Sequence, residues 1–464
     1  MEKLTRKYGL GTAVCLVIGT VIGSGIFFKA QNVLLATGGD MPTGIAAWVI
    51  TGILMIICSV QFAVMATKYE KVSGMVDYAE ATCGPVYAYH LAWFAVNIYF
   101  PAMTSVLAWV SARYFGALFG WGAGSSEVLA LAGFFLISAY TLNTLSPKLA
   151  GKFQVSATVI KLIPIVLMAV VGIIVGSING TLSSNFTTVV GEVAGSPRGG
   201  LFAAVVATVF AYEGWIVATS INAELKDPKK NLPIALILGS IVVVLAYVSY
   251  YIGVSGGASN AALMEQGTTI AFTNIFGSLG GIVLSVFVVI SCLGTLNGLT
   301  VAVTRGMYAI AVRDEGPAPH TFGQIDKATN MAANSSVWGL FVCAVWLLYF
   351  YGANLTDGGW FGLFNFDSSE LPIVTMYAFY IPILIAWMKK ERELGFVKRF
   401  LLPILSIAAC AFIIFAAIYA HGIVPFLQNR ELGQFAFPVL FYLIVFIAVM
   451  AVGAVLRKPR KKSE

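Results

Sequence analysis

Two short stretches of this chain stand out for what their residue types permit. In VIGTVIGSGIFF, residues 17 to 28, Gly19, Gly23 and Gly25 are interleaved with the hydroxyls of Thr20 and Ser24 inside a strongly apolar run. In VATVFAYEGWIVATS, residues 206 to 220, Glu213 and Gly214 interrupt a second apolar run at its centre. Glycine weakens a helix interior by about 1 kcal/mol relative to alanine. An acidic side chain at membrane depth costs about 2.5 to 3.5 kcal/mol on insertion scales. A sequence that accepts both penalties mid-run exposes backbone N–H and C=O groups there, and such groups are tolerated within a bilayer only where they line a cavity. The chemistry on offer is recognition by backbone dipoles. Catalytic machinery is not visible: the HExxH motif is absent, and His90, His320 and His421 are scattered without metal-ligand spacing. Cys15, Cys58, Cys292, Cys343 and Cys410 lie in apolar runs and Cys83 in a polar connector, the pattern of small buried hydrophobes rather than a disulfide framework. No catalytic residue, metal or cofactor is assigned, and the chain does not read as an enzyme.

The elements that carry these stretches follow from composition. Of 464 residues, 59% are hydrophobic and 11% charged, and the mean hydropathy is +0.87, too little polar surface for a water-soluble globule. Apolar runs long enough to cross about 30 Å of hydrocarbon are centred near residues 22, 54, 102, 135, 164, 211, 244, 293, 343, 379, 410 and 445. All are helix-length and none alternates with period two, so an all-α membrane protein of twelve transmembrane helices is expected, not a barrel. The first run lacks a small-residue cleavage site and is followed by further spans, which sets it apart from a secretory signal.

The net charge of +7 does not point to nucleic acid, because the basic residues alternate with the spans. With the N-terminus inside, Lys3, Arg6, Lys7, Lys68, Lys71, Lys148, Lys152, Lys226, Lys229, Lys230 and the residues around Lys389 and Arg399 all fall on the inner face, against Arg198 and Arg430 outside. The positive-inside rule then places both termini in the cytoplasm and calls for an even number of spans. The basic tail RKPRKK, residues 457 to 462, reads as an anchor to anionic lipid.

The interruptions fall in spans one and six. A displacement of five spans inverts the second copy relative to the first, and paired breaks at corresponding positions are the sequence pointer to an inverted-repeat transporter with a site near the midplane. Close helix packing through Gly19 and Gly23, four residues apart, is the competing reading of span one alone. The matching break in span six weighs against it.

Five motifs carry a family resemblance: IGTVIGSGIFF (18–28), KLIPI (161–165), FAYEGW (210–215), AELKDPKKNLPIAL (223–236) and GTLNG (294–298). Together they resemble the amino acid-polyamine-organocation superfamily, within it the L-type amino acid transporter group and its bacterial serine/threonine exchangers, over roughly residues 8 to 455. The resemblance implies a LeuT-like fold with a 5+5 inverted repeat: residues 1–178 (helices one to five) and 179–390 (six to ten), with 391–464 holding helices eleven and twelve and the basic tail. It also implies alternating access for L-amino acids.

Within that frame the breaks acquire roles. Unwinding span one frees N–H groups at Ser24 and Gly25, at the positive end of the following half-helix, to hold a substrate carboxylate. Glycine there leaves no Cβ to block the ligand or unusual dihedrals. Carbonyls near Val21 and Gly23, and at Phe210 and Glu213 of span six, are expected to take the ammonium. Phe210, Tyr212 and Trp215 offer aromatic surface for a gate, with core packing the alternative for Trp215. Asn97 and Asn297 are amides at depth that either face the cavity or bond between helices. Glu213 has three open roles: reading a cationic substrate side chain, carrying a proton, or pairing with a base. Lys161 lies too far into span five to reach the surface unaided. In the sodium-independent group that the chain resembles, a lysine at this place stands where sodium-coupled members hold a cation, so Lys161 is expected to donate to carbonyls near Gly23 and to groups near Thr295.

Departures from the family pattern are specific. Relatives often carry glutamate-leucine-glycine at the end of span two, where this chain has Val64, Met65 and Ala66, and the usual glycine doublet reads Gly74, Met75. The loop GWGAGSSE, residues 120 to 127, lacks the cysteine by which animal L-type transporters tether a heavy subunit, so no disulfide-linked heavy chain is expected. The reading is a sodium-independent exchanger of small neutral L-amino acids in the cytoplasmic membrane, with lipid and substrate as partners. A proton-coupled or cationic amino acid permease is the alternative, and a transporter-like amino acid sensor is the rival from another class.

Overall fold

The structure is a computed structural model and describes residues 9–69, 74–191, 199–216, 225–327, 329, 331–356, 359–431, 433 and 437–457. Among these residues there is no strand, and helices account for the regular structure. Among the described residues, ten helices are long and apolar enough to cross a membrane: Met41–Lys68, Pro85–Ala117, Ser126–Leu145, Leu149–Ile178, Pro228–Gly257, Thr269–Ala311, Ala333–Asn354, Leu371–Lys390, Val397–Glu431 and Pro438–Leu456. They fall on ten of the twelve predicted runs and are called spans two to five and seven to twelve. Span one is a bent pair, Leu10–Val21 and Gly25–Ala36, whose axes differ by 48°. The run predicted around residue 211 is a shorter helix, Gly199–Tyr212, that ends in a turn at Glu213 and Gly214. The chain is thus a multi-pass helical membrane protein. Several expectations about charge placement, at Lys3, Arg6, Lys7, Lys71, Arg198 and 458–462, lie outside the described residues.

Local signals explain where helices begin and bend. Asp40 caps span two by accepting from the Thr43 N–H at 3.4 Å, followed by Pro42 in the first turn. Ser125 caps span four at the Val128 N–H in the same way. Span five is interrupted after Ile160, at Lys161, and carries a π-helical turn at Met168–Gly172. Pro164 has no N–H to return to the Ile160 carbonyl, which accounts for the weakness of the ladder beside Lys161.

The chain divides into two compact units. The first comprises Met1–Ala88, Leu162–Leu284 and Ile373–Ala420. Span seven is its spine, and small residues bring the other helices onto it. A Cβ added at Gly172 would lie 2.3 Å from the Gly253 carbonyl oxygen, and one at Gly253 would lie 2.0 Å from that of Met168. Span five therefore meets span seven backbone to backbone. The same logic seats Gly44 under Tyr251, Gly52 under Val244 and Gly239 under Val17.

The second unit comprises Tyr89–Lys161, Ser285–Pro372 and His421–Glu464. Its buried amides link its helices. Asn143 Nδ2 donates to Asn297 Oδ1 at 2.8 Å, and Asn297 Nδ2 donates to Gln154 Oε1 at 3.1 Å and to the Ala150 carbonyl at 3.3 Å. Asn97 sits in a π-helical turn, Ala95–Tyr99, where Trp338 Nε1 donates to its Oδ1 at 3.0 Å and Trp346 Nε1 to its carbonyl at 2.9 Å.

The backbone contact between spans five and seven sets a stability test. Gly253→Val should destabilise the folded protein by about 1–3 kcal/mol or more, since the clash is with backbone that cannot rotate away. Gly133→Val, with nothing within 4 Å of the added Cβ, should melt like the parent. Thermal unfolding in detergent compares the two, and equal melting would rule out the close approach.

Candidate functional site

The site is built from the two breaks, both in the first unit. The first half of span one closes with the Ile22 N–H donating to the Ile18 carbonyl at 2.9 Å, after which Ile22, Gly23 and Ser24 leave the helix. The second half starts at Gly25, and its first return bond runs from the Phe28 N–H to the Ser24 carbonyl at 3.0 Å. The N–H groups of Gly25, Ile26 and Phe27 therefore have no carbonyl one turn back inside the helix. They converge at the positive end of a twelve-residue helix. Ser24, fully buried, does not cap this end, and its Oγ finds no hydrogen-bond partner among the described residues. A buried hydroxyl without a partner is costly. Here it sits beside three N–H donors that an anion would satisfy.

Span six supplies the opposite wall. Gly214 has a positive φ of 109°, and a Cβ there would lie 2.6 Å from the Thr20 carbonyl oxygen, so only glycine permits both this turn and this approach. A Cβ at Gly25 would lie 2.5 Å from Ala211 Cα. The two broken helices thus touch at their breaks. Gly25 is not among the positive-φ residues. This corrects one sequence-based reason for that glycine: unusual dihedrals do not require it, and the close approach of the neighbouring half-helix does. A branched residue at 25 would part the two half-helices.

The released carbonyls have a partner that the sequence reading missed. The Tyr247 hydroxyl of span seven lies 3.0 Å from the Val21 carbonyl and 3.0 Å from the Ala211 carbonyl. One proton serves both breaks. Val21, expected to accept from a substrate ammonium, already faces this phenol and keeps a second lone pair for that purpose. The signal was present, since a tyrosine near the middle of an apolar span raises the same question as an amide there. Phe210 keeps a weak bond from the Glu213 N–H at 3.4 Å, which leaves its carbonyl capacity to spare.

The remaining side chains separate by direction. Tyr212 turns away from the break, its hydroxyl donating to the Trp48 carbonyl at 2.9 Å and its ring against Trp48 and Tyr247. Trp215 packs between Phe62 and Tyr380, so core packing describes it. Phe210 stays at the break, edge-on to Phe28 with 6.1 Å between centroids. Glu213 is buried and lies within electrostatic reach of Tyr377, Tyr380 and Cys58. Lys29, absent from the sequence-based candidates, is fully buried on the second half of span one, its Nζ 5.2 Å from the Phe210 ring centre and 5.1 Å from that of Phe28.

Lys161, Thr295 and Asn297 belong to the second unit. Lys161 is 3% exposed at the interruption of span five, and Gly294 packs its helix on Ala157 one turn before it. Thr295 donates to the Ser291 carbonyl of its own helix at 3.0 Å. The Asn297 amide is taken up by Asn143, Gln154 and Ala150, which is interhelical bonding.

Residues 8–452 match the amino acid permease family. The chain belongs to this family. Within the amino acid-polyamine-organocation superfamily, the permease is 29% identical over 422 residues to the serine/threonine exchanger SteT of Bacillus subtilis (strain 168), covering 89% of this chain and 91% of that one. It is 26% identical over 367 residues to the b(0,+)-type amino acid transporter 1 of Oryctolagus cuniculus, at 75% and 74% coverage, and 26% identical over 329 residues to the human cystine/glutamate transporter, at 70% and 64% coverage. The crystal structure of MhsT in complex with L-phenylalanine superposes with a TM-score of 0.55 at 13% identity, covering 90% of this chain and all of that one. The permease therefore has the LeuT-like fold, and its work is transport of amino acids rather than bond chemistry.

If the Ser24 hydroxyl meets the substrate carboxylate, Ser24→Ala should weaken substrate binding roughly tenfold or more, the scale of one hydrogen bond to a charged group. Its melting temperature without substrate should be unchanged or higher, because an unsatisfied hydroxyl is removed. Binding measured calorimetrically on both proteins decides it, and equal affinity would take Ser24 out of the site.

Proposed function

We propose that the permease is a sodium-independent exchanger of small neutral L-amino acids that works by alternating access in the cytoplasmic membrane. The observation that carries this reading is the buried Ser24 hydroxyl beside the open N–H groups of Gly25, Ile26 and Phe27. A carboxylate satisfies all of them, and the carbonyls of Val21 and Phe210 offer acceptors for an ammonium. An L-amino acid bears both groups on one carbon. The likeness to a serine/threonine exchanger over nine-tenths of both chains supports small polar substrates and exchange. The repeats 1–178 and 179–390, twelve crossings and two cytoplasmic termini complete the proposal, supported by the paired breaks and the distribution of basic residues. The absence of cysteine from residues 120–127 supports a transporter without a disulfide-linked heavy chain.

Exchange has a direct test. Purified protein in liposomes preloaded with L-serine or L-threonine should take up labelled substrate at least tenfold faster than empty vesicles, with the same rate in sodium and in choline. A second reading, proton-coupled or cationic transport, draws on Glu213, an acid buried among phenols that is able to hold a proton or face a cation. Uptake into empty vesicles under an inward proton gradient, or preference for L-lysine, would favour it.

Lys161 takes the place of a bound cation in this scheme. Its support is burial at a helix interruption, where an ammonium finds carbonyls released from the ladder. Lys161→Ala should then cut exchange at least tenfold at normal expression, with no gain from added sodium. Normal turnover in that variant, or sodium dependence of the parent, would end the idea.

A further inference from the structure

The last turns of spans two and ten are joined by a seam that recognition of a zwitterion at the breaks does not use. Phe62 of span two packs on Tyr380 of span ten with 4.8 Å between ring centres, and Tyr69 packs on Trp387 with 5.8 Å. Both members of the second pair lie seven residues after those of the first, so the two segments run parallel and in register over two turns, about 10 Å. At Phe62 the seam also takes the Tyr78 ring at 6.3 Å and, at 5.6 Å, the ring of Trp215, which follows the Glu213 and Gly214 turn. Four rings from four elements thus stand between that break and the far end of the seam.

Ions close the far end. Glu391, one residue past span ten and buried, accepts from the Lys68 ammonium and from the Tyr69 hydroxyl, and Lys68 also reaches the exposed Glu393. Lys390 Nζ donates to the Ala81 carbonyl of the helix Met75–Cys83, which carries Tyr78. Burial acts to raise the Glu391 carboxyl, but the bonds from Lys68 and Tyr69 outweigh it and hold the group below the usual carboxylate range, so it is charged near neutral pH. All of these residues belong to the first unit. Ring pairs are individually weak, whereas parting a buried carboxylate from its donors is costly. The ion cluster therefore governs whether the seam opens.

We propose that Glu391 is a positioning residue for exchange: by clasping Lys68 and Tyr69 it keeps spans two and ten closed beneath the breaks, and release of substrate to the cytoplasm requires the clasp to part. This inference rests on the alternating access and membrane orientation given under the proposed function, and adds the residue that sets the balance between the two faces.

The test compares half-saturation by L-serine on the two faces of liposomes that hold the protein in one orientation. Glu391→Gln keeps the shape and removes the charge, which should favour the state open to the cytoplasm. The internal half-saturation concentration should fall and the external one rise, changing their ratio at least fivefold. Tyr69→Phe, a milder change, should move the ratio at least twofold in the same direction, and Lys68→Arg, which keeps the charge, should stay within twofold of the parent. A ratio unchanged in both Glu391→Gln and Tyr69→Phe overturns the inference even where melting temperatures fall, since a brace that only stabilises the fold leaves the faces balanced as before. A second readout needs no transport. Cys83, half-buried at the end of the helix that Lys390 holds, should react with a maleimide at least fivefold faster in Glu391→Gln, followed by mass on its peptide. Wild-type liposomes that exchange no amino acid would remove the proposed function, and Cys83 would then decide the clasp: equal labelling rates in parent and variant overturn it.

Discussion

A helix interrupted inside a bilayer releases backbone groups where water cannot reach them, and the first unit of this permease is organised around how those groups are satisfied. On the carbonyl side a single phenol does most of it. The Tyr247 hydroxyl sits at 3.0 Å from both the Val21 and the Ala211 carbonyls, so the breaks of spans one and six share one proton. Neither break can shift without changing that arrangement. On the N–H side the first return bond is that of Phe28, so Gly25, Ile26 and Phe27 have no carbonyl one turn back inside the helix, and the Ser24 hydroxyl has no hydrogen-bond partner among the described residues. The asymmetry makes the site. Carbonyls held by the protein set the geometry of the breaks, and the donors at the helix end suit an anion.

Holding two broken helices this close requires the absence of side chains at particular points. Gly25 admits Ala211, and Gly214 admits the Thr20 carbonyl while supplying the left-handed turn. Farther along, Gly172 and Gly253 let spans five and seven meet backbone to backbone. In lipid such packing gains nothing from burying apolar surface, so contact distance matters more than hydrophobicity. At these positions glycine fixes separations, and at Gly214 it fixes a dihedral as well. The charged residues then gain meaning by where this packing puts them. Lys29 is buried against the Phe210 and Phe28 rings, and Glu213 is buried within electrostatic reach of Tyr377 and Tyr380.

The second unit uses a different device. Asn97, Asn143 and Asn297 tie neighbouring helices through amides whose donors and acceptors are matched inside the unit. Such bonds between helices in lipid are worth about 1 kcal/mol each, modest singly and useful in series. Asn297 illustrates how one residue type at one depth supports two readings. Its amide at membrane depth was visible in GTLNG, but whether it faced a cavity or a helix depended on Asn143 and Gln154, 154 and 143 residues away.

Hydrophobic length, paired interruptions and charge placement are local properties, and the sequence by itself determined what depends on them. The apolar runs, the all-helical membrane class, the breaks at Gly23 and Glu213, and the family motifs were all legible, because each is written within some twenty consecutive residues. What the tertiary structure decided was every question of which groups meet. That Gly25 serves Ala211, that Tyr212 faces Trp48 while Phe210 stays at the break, and that Lys29 is buried against the Phe210 and Phe28 rings could not be read from spacing. Tyr247 lies 226 residues from Val21 and 36 from Ala211, and no periodicity links residues so separated. Their encounter follows from helix rotation and close approach, which are set by the packing of whole faces rather than by any one stretch.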